Sequence, residues 1–168
     1  MKKIILLFVF ATSVVLVNAQ SKQVQFGAGI NVGVPVGDFG KSHSFGVGVE
    51  AQGEYAISQQ ASLVGSLGYT NFFGKKDKYY EYKYKSVGII PILVGARFYP
   101  SEQFFVGGKL GYGIFTGGGS GGSFNFVPQV GYNVSDFQVT LDFHLLAQSG
   151  GNASYFGLSG IYKFPAKK

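Results

Sequence analysis

The sequence contains no cysteine and few charged residues. The absence of cysteine excludes a disulfide framework and any metal cluster built on thiolates, so the fold must be stabilised in another way. Asp, Glu, Lys and Arg together make up 13% of the chain, against about 25% in an ordinary soluble domain. A soluble domain of this size needs more charge on its surface. The composition therefore points away from one.

Long apolar segments are also scarce, and the one candidate stands at the N-terminus. Two lysines precede an apolar run over 4–17, which ends in small residues. This order is typical of a secretory signal peptide, with cleavage predicted after Ala19. The alternative is a membrane anchor, but the run has 14 residues and a spanning helix needs about 20. The sequence therefore predicts a signal peptide over 1–19 and one domain over 20–168.

The rest of the chain alternates apolar and polar residues with a period of two. In the stretch DFQVTLDFHLL, for example, Val139 and Leu141 take one face and Thr140 takes the other. Such alternation predicts β-strands with two unlike faces, because successive side chains of a strand point in opposite directions. The predicted strands cover 24–36, 44–57, 62–73, 86–99, 104–115, 124–134, 136–146 and 154–164.

The connections between these strands alternate between short and long. The short ones are 58–61, 100–103 and 135–136, and the long ones, rich in Gly, Ser or Lys, are 37–43, 74–85, 116–123 and 147–153. Eight strands, an even number, with short turns at one end and long loops at the other are typical of bacterial outer-membrane barrels. We therefore predict an all-β, eight-stranded antiparallel up-and-down barrel that crosses a membrane with its strands.

The interior volume decides which strand face meets lipid. Eight strands enclose room only for side chains or one small ligand, so the many large apolar side chains fit outside and the polar face fills the lumen. The formal charges on the strands fall on that polar face. We predict a structural luminal charge cluster of Glu50, Glu54, Arg97, Lys109 and Asp142. Since an unpaired buried charge is costly, we expect these groups to pair and the barrel to conduct no solutes.

Two segments carry a resemblance to a known family. IIPILVGARFYP (89–100) resembles the Pro-containing fourth strand of small eight-stranded outer-membrane β-barrels of Gram-negative envelopes. FGLSGIYKF (156–164) resembles the C-terminal insertion signal of that family, with Tyr162 and Phe164 as its alternating aromatics. Ser159 stands where a glycine is usual, and PAKK follows where many members end. The whole mature chain looks like this family.

The resemblance implies a location, a biogenesis route and partners. It implies export by the signal peptide and insertion into the cell outer membrane. It also implies contacts with the barrel-insertion machinery and periplasmic chaperones during biogenesis, and with outer-membrane lipid and lipopolysaccharide afterwards. A monomer without cofactors is expected. For activity the resemblance is unspecific, because these barrels serve diverse roles.

The most charged segment, GKKDKYYEYKYKS (74–86), is the candidate binding loop. Lysines interleaved with aromatics can bind nucleic acid, but this loop is predicted to face the outside of the cell. Lipopolysaccharide phosphates, other surface polyanions or a partner protein suit that place better, and the alternative is a solvated extension of a strand hairpin. The candidate binding residues are Lys75, Lys76, Lys78, Tyr79, Tyr80, Tyr82, Lys83 and Lys85.

No catalytic or metal site is predicted. Some eight-stranded barrels modify lipid A with His and Ser near the outer rim, but His43 and Ser44 are adjacent and point to opposite faces of a strand. His144 shares the polar face with Asp142 and has no companion serine in the sequence pattern. The glycine runs match no phosphate-binding pattern. We therefore expect a non-enzymatic role in envelope integrity or surface binding, with a lipid A acylase or deacylase as the alternative.

Overall fold

The computed structural model describes residues 24–76, 82–118, 121–147 and 152–165. The predicted signal peptide lies outside them. All eight predicted strands are present, and their ends differ from the predicted ones by at most two residues. The elements are β1 Val24–Val36, α1 Gly37–Ser42, β2 His43–Ala56, β3 Ala61–Gly74, β4 Val87–Phe98, β5 Phe104–Gly117, β6 Gly122–Val134, β7 Phe137–Ala147 and β8 Ala153–Lys163.

The strands form a closed barrel. Each strand pairs antiparallel with the next, and β8 pairs with β1 along a seam from Gly27↔Lys163 to Val36↔Ser154. Among the eight described strands no open edge remains, which is the condition for placing a sheet in lipid. The predicted up-and-down topology is confirmed. Among the described residues, no helix combines the length and the apolarity needed to cross a bilayer.

Side chains alternate between an exposed apolar wall and a buried interior. On β7, Leu141 is 49% exposed, whereas its neighbours Thr140 and Asp142 are 2% and 4% exposed. Large apolar residues outside and polar residues inside reverse the arrangement of a soluble domain and are typical of a barrel in lipid. The predicted assignment of the two faces is confirmed. The outer wall includes Ile30, Val32, Val49, Leu63, Leu67, Ile92, Val94, Leu110, Phe126, Val130, Val139 and Leu158.

Two features differ from the sequence-based expectation. The connection 37–43, expected as a loop, contains helix α1, and its Phe39 is buried. The interior, expected to hold small and polar residues, also holds large apolar ones, of which Phe72, Ile89 and Phe105 are fully buried. Burial in the lumen removes these apolar side chains from water, as burial in a soluble core would, and this favours apolar residues inside the barrel as well.

Glycines on the luminal face allow the strands to approach side chains and one another. A Cβ atom added to Gly29 would overlap the carbonyl of Gly160, and one added to Gly95 would overlap the carbonyl of Gly108. Because glycine has no Cβ, these positions permit the close approach. The lumen is therefore narrow, and the larger side chains between the glycines fill it.

Candidate functional site

The end of the barrel with the short turns 57–60, 99–103 and 135–136 contains a buried ion pair. Nη1 of Arg97 lies 2.6 Å from Oε2 of Glu54, and the two side chains are 1% and 14% exposed. Nη2 of the same guanidinium donates to Oε1 of Gln52 at 3.0 Å and to Oε1 of Gln129 at 3.2 Å. The guanidinium carbon lies 4.4 Å from the ring centre of Phe105. These contacts join four strands across the lumen.

The second oxygen of the Glu54 carboxylate is bonded as well. Oε1 accepts hydrogen bonds from the hydroxyl of Ser62 at 2.5 Å and from the hydroxyl of Tyr99. Burial, together with the negative charge of Glu54, raises the pKa of Tyr99 to about 12, so the phenol stays protonated and donates at neutral pH. The sequence reasoning missed both donors, because it considered only groups of opposite formal charge.

A second ion pair lies nearer the middle of the lumen. Nζ of Lys109 is 3.0 Å from Oε1 of Glu50 and donates to the hydroxyl of Ser66 at 3.2 Å. The hydroxyl of Ser159 donates to the other oxygen of Glu50 at 3.3 Å. Ser159 is the residue that departs from the glycine usual in the family pattern. Its hydroxyl therefore has a contact here that glycine could not make.

Asp142, the last member of the predicted cluster, faces a histidine. Its Oδ1 lies 3.3 Å from Nε2 of His144, and the Nδ1 of that ring is 3.1 Å from the amide nitrogen of Asn125. The imidazole stacks on Tyr155 with the ring centres 4.2 Å apart. Within the described part of the chain, no lysine or arginine lies within 4.0 Å of Asp142. The five predicted residues thus occupy one lumen but are divided among three separate pairs.

An apolar cluster fills the lumen at the other, long-loop end. Phe39 of helix α1 packs against Phe72 with ring centres 5.0 Å apart, and Phe72 packs against Tyr155 at 4.8 Å. Helix α1 lies over the side of the mouth formed by β8, β1 and β2, and it inserts one aromatic ring into the lumen. The cluster comprises Phe39, Phe72, Val87, Ile89, Phe115, Leu146, Ala153 and Tyr155.

Little free space remains between the apolar cluster and the ion pairs. A cavity of about 20 Å³ borders Glu50, Asp142, His144 and Ser159, which is room for about one water molecule. No group of three or more His, Asp or Glu side chains within the described residues is placed to hold a metal ion. The described lumen is thus packed from the apolar cluster to the two ion pairs and the Asp142–His144 contact. Beyond Glu54 a polar cavity of about 320 Å³ opens at the short-turn end, bordered by Ser62, Tyr99 and Lys163.

His43 lies beside a serine at the long-loop rim, and its other ring nitrogen faces a backbone carbonyl. Nδ1 of His43 is 2.8 Å from the Ser42 hydroxyl, but its Nε2 faces the backbone carbonyl of Lys85 at 3.2 Å and not a carboxylate. The Ser44 hydroxyl donates to the Phe73 carbonyl at 3.1 Å. In a Ser-His-Asp triad a carboxylate orients the histidine, whereas here the Lys85 carbonyl takes that place, and the Ser42 hydroxyl also donates to the Phe39 carbonyl at 3.3 Å.

The candidate binding loop continues the β3–β4 hairpin beyond the barrel. Lys76 pairs with Lys83 in an antiparallel bridge, and the amide of Tyr84 donates to the carbonyl of Lys75 at 2.9 Å. Tyr82 packs edge-on against Tyr84 with ring centres 5.5 Å apart. The described loop residues, Lys85 among them, are exposed. Lys78, Tyr79 and Tyr80 lie outside the described residues.

The base of this hairpin is fixed to helix α1. The amide of Lys75 donates to the carbonyl of Ser42 at 2.9 Å, and its Nζ donates to the carbonyl of Gly40 at 2.5 Å. His43 adds the contact with the Lys85 carbonyl on the returning strand. Both strands of the hairpin are therefore tied to the neighbouring connection, and the loop begins from a defined position.

The predicted insertion-signal residues lie on the outer wall near the short-turn end. Tyr162 is 38% exposed and Phe164 is 49% exposed. Tyr162 packs against Phe137 with ring centres 5.2 Å apart. The amide of Phe164 donates to the Phe26 carbonyl at 2.8 Å, which extends the closing seam past the end of β8. The two aromatics thus share the lipid-facing side of the seam.

Comparisons with known proteins find likeness at the level of structure alone. No protein-family model and no curated protein matches the sequence. Ail of Yersinia pestis, solved in complex with the heparin analogue sucrose octasulfate, is 15% identical, with a TM-score of 0.59 over 84% of this chain and 98% of Ail.

Two further solved structures show the same likeness. Neisserial surface protein A is 15% identical, with a TM-score of 0.62 over 83% of this chain and 95% of its own. The outer membrane protein OprG from Pseudomonas aeruginosa is 11% identical, with a TM-score of 0.52 over 86% and 96%. The chain thus has the fold of the small eight-stranded outer-membrane β-barrels.

Proposed function

We propose that this chain is a non-enzymatic outer-membrane barrel that acts through its extracellular loops, in envelope integrity or in binding at the cell surface. The observation that carries the proposal is the filled lumen. Apolar side chains fill the long-loop half of the described lumen, and two ion pairs and the Asp142–His144 contact cross the other half, so the barrel offers no continuous path for solutes. Function then lies on the outer wall or in the loops, where the basic hairpin is the most charged segment.

The comparisons support a role at the surface. Ail is named for attachment and invasion and binds a heparin analogue in its structure, and another match is named a surface protein. On this view the partners are outer-membrane lipid, lipopolysaccharide phosphates or other polyanions near the hairpin, and nucleic acid is not among them. The barrel-insertion machinery and periplasmic chaperones would act earlier, with Tyr162 and Phe164 as the signal read during insertion.

The alternative function is modification of lipid A, and a deletion strain separates it from the proposed one. The contact between Ser42 and His43 at the long-loop rim is the observation that keeps this alternative in view. Lipid A from the deletion strain is expected to carry the same acyl chains as the parent, while sensitivity to detergent or surface binding changes. A different acyl pattern would identify an enzyme and would contradict the proposal.

The filled lumen predicts that the barrel does not conduct. Purified wild-type protein in a planar lipid bilayer is expected to give no stable, nanosiemens-scale current steps. Phe39→Ala removes the aromatic ring that helix α1 inserts into the lumen. This variant is also expected to give no current steps, because the ion pairs nearer the short-turn end still fill the interior. Steady conductance of the wild type would show that the lumen opens in the membrane.

The proposed orientation predicts which loops are accessible in whole cells. With both termini in the periplasm, a cysteine tag at Gly118 is expected to react with a membrane-impermeant label added to intact cells. The same tag at Gln59, in the turn between β2 and β3, is expected to react only after the outer membrane is opened. The opposite pattern would reverse the orientation of the barrel.

A further inference from the structure

The two faces of the basic hairpin differ, and the strand register decides which way each one points. Lys76↔Lys83 is an antiparallel pair four residues above Phe72↔Val87, with no residue inserted in either strand between them. Since side chains alternate along a strand, residues four apart share a face. Phe72 and Val87 are buried in the lumen. Lys76 and Lys83 therefore continue the luminal face above the barrel mouth.

The tyrosines continue the opposite, lipid-facing side. Tyr82 and Tyr84 alternate with Lys83, so they point away from the lysine pair. Lys85, two residues beyond Lys83, returns to the lysine side. We call Lys76, Lys83 and Lys85 the lysine face of the hairpin.

The lysine face brings like charges together. Like charges directly opposite each other in an antiparallel pair are destabilising, and Lys76 and Lys83 stand in that relation. Among the residues that the structure describes, no carboxylate lies within 4.0 Å of any of the three ammonium groups. An external anion at this face would remove the repulsion.

The surroundings leave the face both accessible and fixed in position. The next long connection runs GGGSGG over 117–122, so its sequence supplies almost no side chain to cover the lysines. At the base, only glycine fits at position 74, because a Cβ there would overlap the carbonyl of Tyr84. Together with the contacts from Lys75 to helix α1, this anchors the backbone from which the lysine side chains extend.

We propose that the lysine face binds a polyanionic glycan, carrying closely spaced sulfate or phosphate esters, that reaches the barrel mouth from outside the cell. The proposal rests on the surface role proposed above and specifies its ligand. Three lysines on one face of a short hairpin match several neighbouring anionic groups, whereas a single anion would engage only part of the set. Lysine suits such groups as a mobile point charge.

The direction in which the lysine face points argues against two other polyanions as its ligand. Lipopolysaccharide of the same membrane lies beside the barrel wall, where the hairpin presents Tyr82 and Tyr84, not the lysine face. Single-stranded nucleic acid is bound by cations and aromatic rings that work along one groove, and here the two kinds of side chain lie on opposite faces. A glycan arriving from above the mouth meets the lysine face and not the two tyrosines.

Binding of dextran sulfate, with unsulfated dextran for comparison, tests the proposal on the full barrel in phosphatidylcholine nanodiscs. Wild type is expected to bind dextran sulfate in a salt-dependent manner and to ignore unsulfated dextran. The double variant K76Q/K83Q is expected to bind about tenfold more weakly, since it removes two ion contacts. Lys83→Gln and Lys41→Gln remove one positive charge each at the same end of the barrel, and only the first is expected to weaken binding. Heat-modifiable migration on gels checks that each variant is folded.

Several results would overturn the proposal. Equal losses for Lys41→Gln and Lys83→Gln would mean that general charge, not the lysine face, attracts the glycan. If K76Q/K83Q lost binding to lipopolysaccharide but still bound dextran sulfate, the lysines would be assigned to the cell's own lipid. If removal of 75–85 abolished a surface activity that K76Q/K83Q retained, the lysine site would be wrong while the loop function stood.

Discussion

Arg97→Ala is expected to lower the free energy of unfolding of the barrel by about 3–5 kcal/mol, the usual loss when one partner of a buried ion pair is removed. The variant leaves the Glu54 carboxylate, whose side chain is 14% exposed, without its cation. It also removes the donors to Gln52 and Gln129 and the stacking on Phe105. Urea unfolding in lipid vesicles, followed by heat-modifiable gel migration, measures the loss.

A second variant separates the stranded charge from the lost packing. Arg97→Met with Glu54→Gln removes both charges and keeps most of the volume, so it is expected to be more stable than Arg97→Ala. Ser62 and Tyr99 can still donate to the amide oxygen at position 54. If the double variant were as unstable as Arg97→Ala, packing around Phe105 and not the unpaired carboxylate would account for the loss. Lys41→Ala, which breaks the exposed pair with Asp38, is a surface control with no measurable change expected.

The barrel and its two faces could be predicted because a strand has a period of two. Once Leu141 and Thr140 were assigned to opposite faces, the same assignment held for every strand in the meander. The small interior volume then decided which face was luminal, and the few charged residues of the strands all fell on that side. Strand ends were predicted to within one or two residues for the same reason, as the alternation stops where the turn residues begin.

The partners inside the lumen could not be predicted in detail. Gln52 donates to Gln138, 86 residues away in sequence, across the barrel. Contacts of this kind depend on the diameter of the barrel and on the stagger between strands, and alternation gives neither. Formal charge alone also predicted the wrong partner for Asp142. Asp142 faces His144 and not a lysine or an arginine, although all of these groups lie on the predicted face.

The apolar cluster at the long-loop end could not be predicted, because the sequence pattern of its residues is ambiguous. The fourth strand is apolar on both faces near Ile89, so alternation carries little information over that part. Phe39 sits in a connection rich in glycine and serine, where a short helix has too few residues to show a period. The charges of the hairpin were evident from the sequence. Which face of the hairpin carries them depends on the register of one pair, Lys76↔Lys83.

The lipid-facing wall gives the second large expected effect, and it depends on depth. Leu141 lies near the middle of β7, is 49% exposed, and pairs with the exposed Val130 and Leu158 on the neighbouring strands. Arginine at the bilayer midplane costs a transmembrane barrel about 2–4 kcal/mol, falling to about 0–1 kcal/mol near the interfaces. Leu141→Arg is therefore expected to lower the free energy of unfolding in lipid vesicles by the larger amount.

Val134→Arg is the matched control for depth. Val134 is the last residue of β6, is 57% exposed, and stands beside the short turn at 135–136, so its guanidinium can reach the interfacial water. The same change of charge on the same wall is expected to be much less costly there. Thr140→Arg is less informative, because Thr140 is 2% exposed and a larger side chain would overpack the lumen whatever surrounds the barrel. Equal losses for Leu141→Arg and Val134→Arg would contradict a lipid-spanning wall, since a bilayer makes the cost of an arginine depend on its depth.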